Sequence, residues 1–213
     1  MYSFKEQNMC RYENLLKKQG YKFIGGIDEV GRGALAGPVV AACVILNPDN
    51  IPEGIADSKK LSAKVRESLC KKIEDSSVSI GVGVVGPEII DEINIYNATK
   101  KAMMLAVDNM KLKPDYLLID AVKLEGLPIA GLSIIKGEDK SVSIAAASIV
   151  AKVYRDNLLK DLSYTFPHYD FKNNKGYGTV KHKQALIKYG PSEVHRYTYK
   201  PVAEAFKLWK LKN

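Results

Sequence analysis

The chain of 213 residues is 46% hydrophobic and 26% charged, which excludes disorder and collagen-like repeats and fits one globular domain with at most a small appendage. No stretch approaches the ~20 apolar residues of a membrane span, and the first eight residues lack a signal peptide's apolar core, so a cytoplasmic protein is expected. The net charge of +8 is confined to residues after Asp170, where ten Lys or Arg face only Glu193 and Glu204.

In chain order, Phe4 to Gln19 has helical spacing and Gly20 closes it. Tyr21–Asp28 and Pro38–Leu46 read as strands, rich in β-branched and aromatic residues and bounded by glycines. Ser62 caps an amphipathic helix to Asp75, and Ser77–Val85 alternates like a half-buried strand. Pro87 suits a first helical turn, and a helical pattern resumes through Tyr96 to Met110. Asp115–Asp120 is a short apolar strand, with another over Leu132–Ile135. Ser141–Leu162 is the longest helical pattern, and its alanines permit close packing on a sheet. Residues 166–178 read as a loop, before short helices at Val180–Tyr189 and Pro201–Leu211. The order predicts an α/β fold, a mixed sheet flanked by helices. An N-terminal helix (1–20) would precede the main domain (21–213), whose basic helical segment begins near residue 165.

Cys10, Cys43 and Cys70 include no C-x-x-C pair, which argues against a disulfide framework or thiolate zinc site and for packing roles. In the basic tail, Phe171, Tyr177, Tyr189, Tyr197, Tyr199, Phe206 and Trp209 alternate with cations. That mixture serves nucleic-acid surfaces, and equally a solvated helical tail with aromatic core anchors. His168, His182 and His195 have no ligand spacing and read as structural or solvent-facing.

Two apolar strands end in acids: Ile24-Gly-Gly-Ile-Asp28-Glu29 and Leu117-Leu-Ile-Asp120. Were these strands adjacent and parallel, Asp28 and Asp120 would meet beyond their carboxyl ends. Like charges that close require a shared proton or a cation. A regular strand sends Asp28 and Glu29 to opposite faces, so both can serve one site only if the strand ends or twists there, a break that Gly31 and Gly33 supply. Glu138-Asp139 lies just before the long helix and can turn toward the same place. The all-oxygen donor set favours Mg²⁺ or Mn²⁺ over zinc, and with the basic flank it points to phosphodiester chemistry. Gly31-Arg-Gly33-Ala-Leu-Ala36 also satisfies a dinucleotide fingerprint, but Gly37-Pro38 and a β-branched run follow it where a helix should open.

Five segments together resemble the bacterial ribonuclease HII family: Gly26-Ile-Asp28-Glu29-Val-Gly31-Arg32-Gly33 with Gly37-Pro38-Val39-Val40; Asp57-Ser58-Lys59-Lys60-Leu61-Ser62; Leu118-Ile119-Asp120; Ser143 to Asp156; and Lys175-Gly176-Tyr177-Gly178-Thr179. The resemblance implies a ribonuclease H-like sheet with a C-terminal helical segment. It also implies Mg²⁺- or Mn²⁺-dependent cleavage of RNA/DNA hybrids and of duplex DNA carrying single ribonucleotides, leaving 3′-hydroxyl and 5′-phosphate ends. Carried over, Asp28, Glu29 and Asp120 bind metal, Gly31, Arg32 and Gly33 clamp the ribonucleotide, Tyr177 senses its 2′-hydroxyl and Lys59 meets a phosphate. The family's fourth acid follows Lys-Gly; here Lys136-Gly137 precedes Glu138 and then Asp139, and counting back from Ser148 selects Glu138, with Asp139 the alternative. Ser148, Lys152 and Arg155 share a helical face, solvated by default and phosphate-facing if the resemblance holds. A type 1 or HIII ribonuclease H, or a non-catalytic hybrid-binding module, are the competing readings. A monomer is expected.

Overall fold

The computed structural model describes residues 9–55, 61–124, 126 and 128–212; Lys59 lies outside them. The chain divides into two compact units: one of Met1–Val30, Val40–Val84 and Lys100–Val153, the other of Gly31–Val39, Val85–Thr99 and Tyr154–Asn213.

The first unit is built on strands β1 (Ile24–Val30), β2 (Val39–Ile45), β3 (Ser79–Val85), β4 (Tyr116–Asp120) and β5 (Ala130–Ile134), in the order β3-β2-β1-β4-β5. β1 runs antiparallel to β2, from Gly25↔Ile45 to Val30↔Val40, and parallel to β4, from Ile24↔Tyr116 to Ile27↔Ile119. β4 and β5 are also parallel, so the sheet is mixed. Central β2 is buried along its whole length and reads as an unbroken apolar run, whereas β3 at the edge alternates.

Helices α1 (Arg11–Lys18), α2 (Ala63–Ser76), α3 (Pro87–Asp108) and α4 (Val142–Thr165) accompany the sheet. Ser62 caps α2, its Oγ accepting from the Val65 amide. Leu69, Cys70 and Ile73 of α2 join Ala42, Val44 and the α4 residues Ala145, Ala146 and Ile149 in the main core. Small side chains let the helix approach closely. A Cβ added to Gly26 of β1 would lie 2.0 Å from the Ser143 carbonyl carbon, so only glycine fits beneath that turn of α4. Burial pushes the Cys43 thiol up to about 12, which leaves it a packing residue.

As the sequence suggests, a helix opens at Pro87 and resumes at Tyr96, the two parts joined across a single break. Asn94 takes φ 67°, and its Oδ1 accepts from the amides of Tyr96 (3.0 Å) and Asn97 (3.1 Å), capping a fresh helical start.

The second unit contains loop 31–38, α5 (Phe171–Asn174), α6 (Val180–Tyr189) and α7 (Lys200–Lys210). Leu35, Leu159, Tyr169, Phe171, Leu186 and Val202 form its core. Residues 166–178, read as loop, fold into short helical turns around Tyr169 and Phe171, because these aromatics are core anchors. Tyr177, Tyr189 and Tyr197 of the aromatic series stay exposed. No helix among the described residues is long and apolar enough to cross a membrane.

Gly26→Ala should therefore destabilise the protein by about 3 kcal/mol or more, through overpacking against helix backbone that cannot yield. Gly33→Ala, whose Cβ would meet nothing within 4 Å, should change urea-unfolding stability by less than about 0.5 kcal/mol. Equal losses in the two variants would contradict the close approach of α4.

Candidate active site

Strands β1 and β4 are adjacent and parallel, and their carboxyl ends bring Asp28, Glu29 and Asp120 together. One ligand oxygen from each lies within 4.8 Å of the other two. The break expected beside Asp28 and Glu29 takes a different form. Pairing with β4 stops at Ile27↔Ile119, while pairing with β2 continues to Val30↔Val40. The strand therefore persists through both acids, with its β4-side edge open at them. Asp28 turns back there, its Oδ1 accepting the Glu29 amide at 2.7 Å.

Neighbouring groups fix the other acids. Asp120 Oδ1 accepts from the Gly137 amide at 2.6 Å, and the Glu138 side chain hydrogen-bonds to Asp120. Glu138 is half-buried, whereas Asp139 is exposed. The Ser148 hydroxyl hydrogen-bonds to Asp28.

Crowding of the carboxylates is visible in their acidity. Burial, then the charges of Glu29 and Asp120, holds Asp28 well above the usual carboxylate range. Asp120 is pushed up to about 6 by burial, with the charges of Glu138 and Glu29 adding and the Gly137 amide opposing. Three acids in this state form a hard, all-oxygen donor set that a divalent cation would neutralise. The residues present thus fit such a cation, with Asp28, Glu29 and Asp120 as its ligands.

The second unit carries the other sequence-predicted residues. Gly31 has φ 96°, and Arg32 and Gly33 are exposed at the loop surface. The Arg32 carbonyl accepts from Arg196 Nη1 (2.8 Å) and the Tyr199 hydroxyl (2.7 Å), so the loop is pinned from below. Tyr177, 37% exposed, is fixed by its backbone: its amide donates to Asn174 O (2.9 Å), and its carbonyl accepts from the Thr179 amide (2.8 Å) and from His182 Nδ1 (2.9 Å).

Two expectations change here. Arg155, placed with Ser148 and Lys152 on a solvated or phosphate-facing stripe, is completely buried. It departs from that stripe because main-chain carbonyls, rather than water or phosphate, receive its hydrogen bonds. The histidines do have a structural role, but a joint one. His182 and His195 are buried and meet Nε2 to Nε2 at 3.0 Å. The network fixes their tautomers. Since the Tyr177 carbonyl can only accept, His182 carries its proton on Nδ1 and accepts at Nε2 from His195. His195 then accepts at Nδ1 from the Ser192 amide, 3.0 Å away. No periodicity in the sequence signals this pair.

The ribonuclease HII family model matches residues 25–202. The ribonuclease HII of Bacillus cytotoxicus is 52% identical over 205 residues, covering 95% of this chain and 79% of that protein. That of Acetivibrio thermocellus is 54% identical over 191 residues, covering 90% and 75%. Among solved structures, the ribonuclease H2 of Pyrococcus horikoshii superposes with a TM-score of 0.77 at 24% identity, covering 90% of this chain and all of that one; at that identity the likeness concerns the fold.

Two measurements follow from the geometry. With chelator present, Asp120→Asn should raise the melting temperature by about 2–4 °C for each kcal/mol of relieved repulsion. It should also lose most of the further rise that saturating divalent metal gives the wild type; an undiminished metal-induced rise would remove Asp120 from the ligand set. The second concerns pH. Burial, then the charge of His182, lowers His195 to about 3, and burial lowers His182 as well. A histidine depressed below its unfolded value of about 6.5 contributes stability that is complete above that pH and is lost as pH falls toward the folded value. Tyr169 is the other titratable group against the pair, and it titrates far above this window. The stability advantage of wild type over His195→Gln should therefore shrink from pH 7 to pH 5 in urea unfolding.

Proposed function

Because the chain belongs to the ribonuclease HII family, we propose that it cleaves both RNA/DNA hybrids and single ribonucleotides embedded in duplex DNA, with Asp28, Glu29 and Asp120 holding Mg²⁺ or Mn²⁺. The family's activity is metal-dependent hydrolysis of RNA in RNA/DNA hybrids, and the chain is an endoribonuclease of that type. The single observation that carries the residue assignment is the meeting of three carboxylates at the ends of two parallel strands. When bound there, the metal supplies activation of water and stabilisation of the leaving oxygen.

The chain's own groups do the rest. Asp28 and Asp120 are held by the Glu29 and Gly137 amides and by Ser148, so their oxygens are oriented in advance. Glu138, which hydrogen-bonds to Asp120 from the turn that the left-handed Lys136 (φ 55°) opens after β5, is the fourth acid of this reading. Exposed Asp139 is not.

Carboxylates alone do not distinguish RNA from DNA. Selection falls to groups that detect a 2′-hydroxyl. Gly31 and Gly33 permit close approach of backbone to sugar, Arg32 offers its guanidinium to the adjoining phosphate, and the exposed Tyr177 ring packs on the following deoxyribose. Lys59 is assigned to a phosphate contact on the family pattern. Products carry 3′-hydroxyl and 5′-phosphate ends.

Cleavage of a duplex with one ribonucleotide, and of a continuous hybrid, tests the whole reading. Both should require Mg²⁺ or Mn²⁺ and stop with chelator. Glu138→Gln should lower turnover about a hundredfold and Asp139→Asn less than about threefold; the reverse order would transfer the role to Asp139. Tyr177→Ala should fall much further than Tyr177→Phe on the single ribonucleotide, and less on the hybrid, where many registers present a 2′-hydroxyl. Equal losses on the two substrates would mean that Tyr177 does not read the junction.

A further inference from the structure

Arg155 lies on α4 with 0% exposure, and its guanidinium is directed at three main-chain carbonyls. Nε donates to Pro38 O at 2.8 Å, Nη2 to Ala36 O at 3.1 Å and Nη1 to Lys175 O at 2.8 Å. The first two acceptors lie at the end of the glycine loop 31–38. The third lies in the turn that leads to Tyr177. One side chain therefore joins two segments remote in sequence, and its guanidinium carbon sits 5.5 Å from the centroid of the Tyr177 ring, within cation–π range.

Local backbone conformation requires such a fastening. Lys175 (φ 53°) and Gly176 (φ 81°) are both left-handed, a conformation that costs a lysine about 1–2 kcal/mol. The Arg155 bond to the Lys175 carbonyl and the Lys175 amide bond to Phe171 O (2.9 Å) hold it there. The Gly176 carbonyl accepts from the Leu35 amide at 2.8 Å, which closes the circuit back to the glycine loop. At the loop's other end Gly31 lies against the guanidinium, where an added Cβ would fall 2.2 Å from Arg155 Nε. Burial lowers Arg155 to about 10, so the cation persists at neutral pH.

We propose that Arg155 is a positioning residue for junction recognition, fixing the Tyr177 ring and the Gly31-Arg32-Gly33 loop in one mutual arrangement through carbonyl bonds and ring contact. This rests on the reading of Gly31, Arg32, Gly33 and Tyr177 given above. A lysine cannot replace it, because a single ammonium on a flexible stem does not span three carbonyls that the planar fork reaches together. Arg196 provides the comparison within the same unit. It bonds to Gly37 O and Arg32 O, but its ring partner is Tyr199, 5.1 Å away. Its ring contact is thus with Tyr199 and not with the Tyr177 ring.

The test is a double-mutant cycle on the metal-loaded enzyme, with kcat and KM measured on both substrates for wild type, Arg155→Lys, Tyr177→Ala and the double variant. Arg155→Lys should lower kcat at a single ribonucleotide about tenfold more than on the continuous hybrid, and that extra loss should vanish when Tyr177 is already alanine. Arg196→Lys should lower both substrates alike. Equal losses for Arg155→Lys, or additive losses in the cycle, would overturn the proposal and leave Arg155 a structural residue. Should Tyr177→Ala itself not discriminate between the substrates, the reading of Tyr177 fails instead, and the cycle separates that outcome. If Arg155→Lys does not fold, the wild-type protein still decides by NMR. The Arg155 Nε–H should exchange about a hundredfold more slowly than in free arginine and show a contact to the Tyr177 ring; fast exchange without that contact overturns the proposal.

Discussion

Repulsion among three carboxylates whose oxygens lie within 4.8 Å of one another is the constraint on which the first unit is organised. Left alone, such a cluster would spread or take up protons, and the weakened acidities of Asp28 and Asp120 record the second tendency. Spreading is prevented by the sheet. β1 and β4 are locked in parallel register up to Ile27↔Ile119, and the acids follow immediately. Moving either acid away would mean slipping a strand whose preceding residues, Gly25, Gly26 and Ile27 in β1 and Leu117, Leu118 and Ile119 in β4, are buried, and a one-residue slip would also turn each side chain to the wrong face.

Packing beneath the strands makes that lock stiff. α4 lies so close to Gly26 that a methyl group cannot be inserted, and its small residues give a dense, flat contact with few alternative arrangements. The same helix then supplies Ser148 to Asp28, so close packing and acid orientation are consequences of one placement. A divalent cation held by these acids would relieve the like-charge crowding, and its binding would then be coupled to folding.

Much of this was legible in the sequence, and the reasons are local. An acid directly after a buried apolar run, twice, marks where β1 and β4 cease to pair with each other, and the mixed character of the sheet follows from early strands and later helix alternation. Ser62 is a cap that the sequence announces, and Thr179, which caps α6 in the same way, was not singled out. The misreadings are equally physical. A helical wheel correctly placed Ser148 and Arg155 on one face, but seven residues at 1.5 Å each separate them by about 10 Å along the axis. Over that distance the surroundings pass from the acid cluster to buried carbonyls of loop 31–38. Angular position is encoded in periodicity; axial environment is not. The resumption of the helix at Tyr96 was legible, whereas the residue that makes the break, Asn94, whose side chain caps the new start, was not singled out. The His182 and His195 pair is set by tertiary packing between irregular segments, and no spacing rule finds it.

The two units solve opposite electrostatic problems. In the first, anions are gathered with their charge incompletely matched by protein donors, which makes the cluster a demand for an added cation. In the second, Arg155 and Arg196 are buried and their hydrogen bonds go to carbonyl dipoles of the loop they support. Their demand is met within the protein, so what they provide is geometry. Damage to the first unit's acids should remove hydrolysis whatever the substrate, since every phosphodiester needs the same metal chemistry. On the proposed reading, damage to Arg155 should leave hydrolysis possible and loosen the choice of bond. Only Val30 separates Glu29 from Gly31, so one stretch of chain leads from an acid of the cluster into the glycine loop. Gly31, with its left-handed φ and no room for a Cβ beside the Arg155 guanidinium, is the residue type that this join requires.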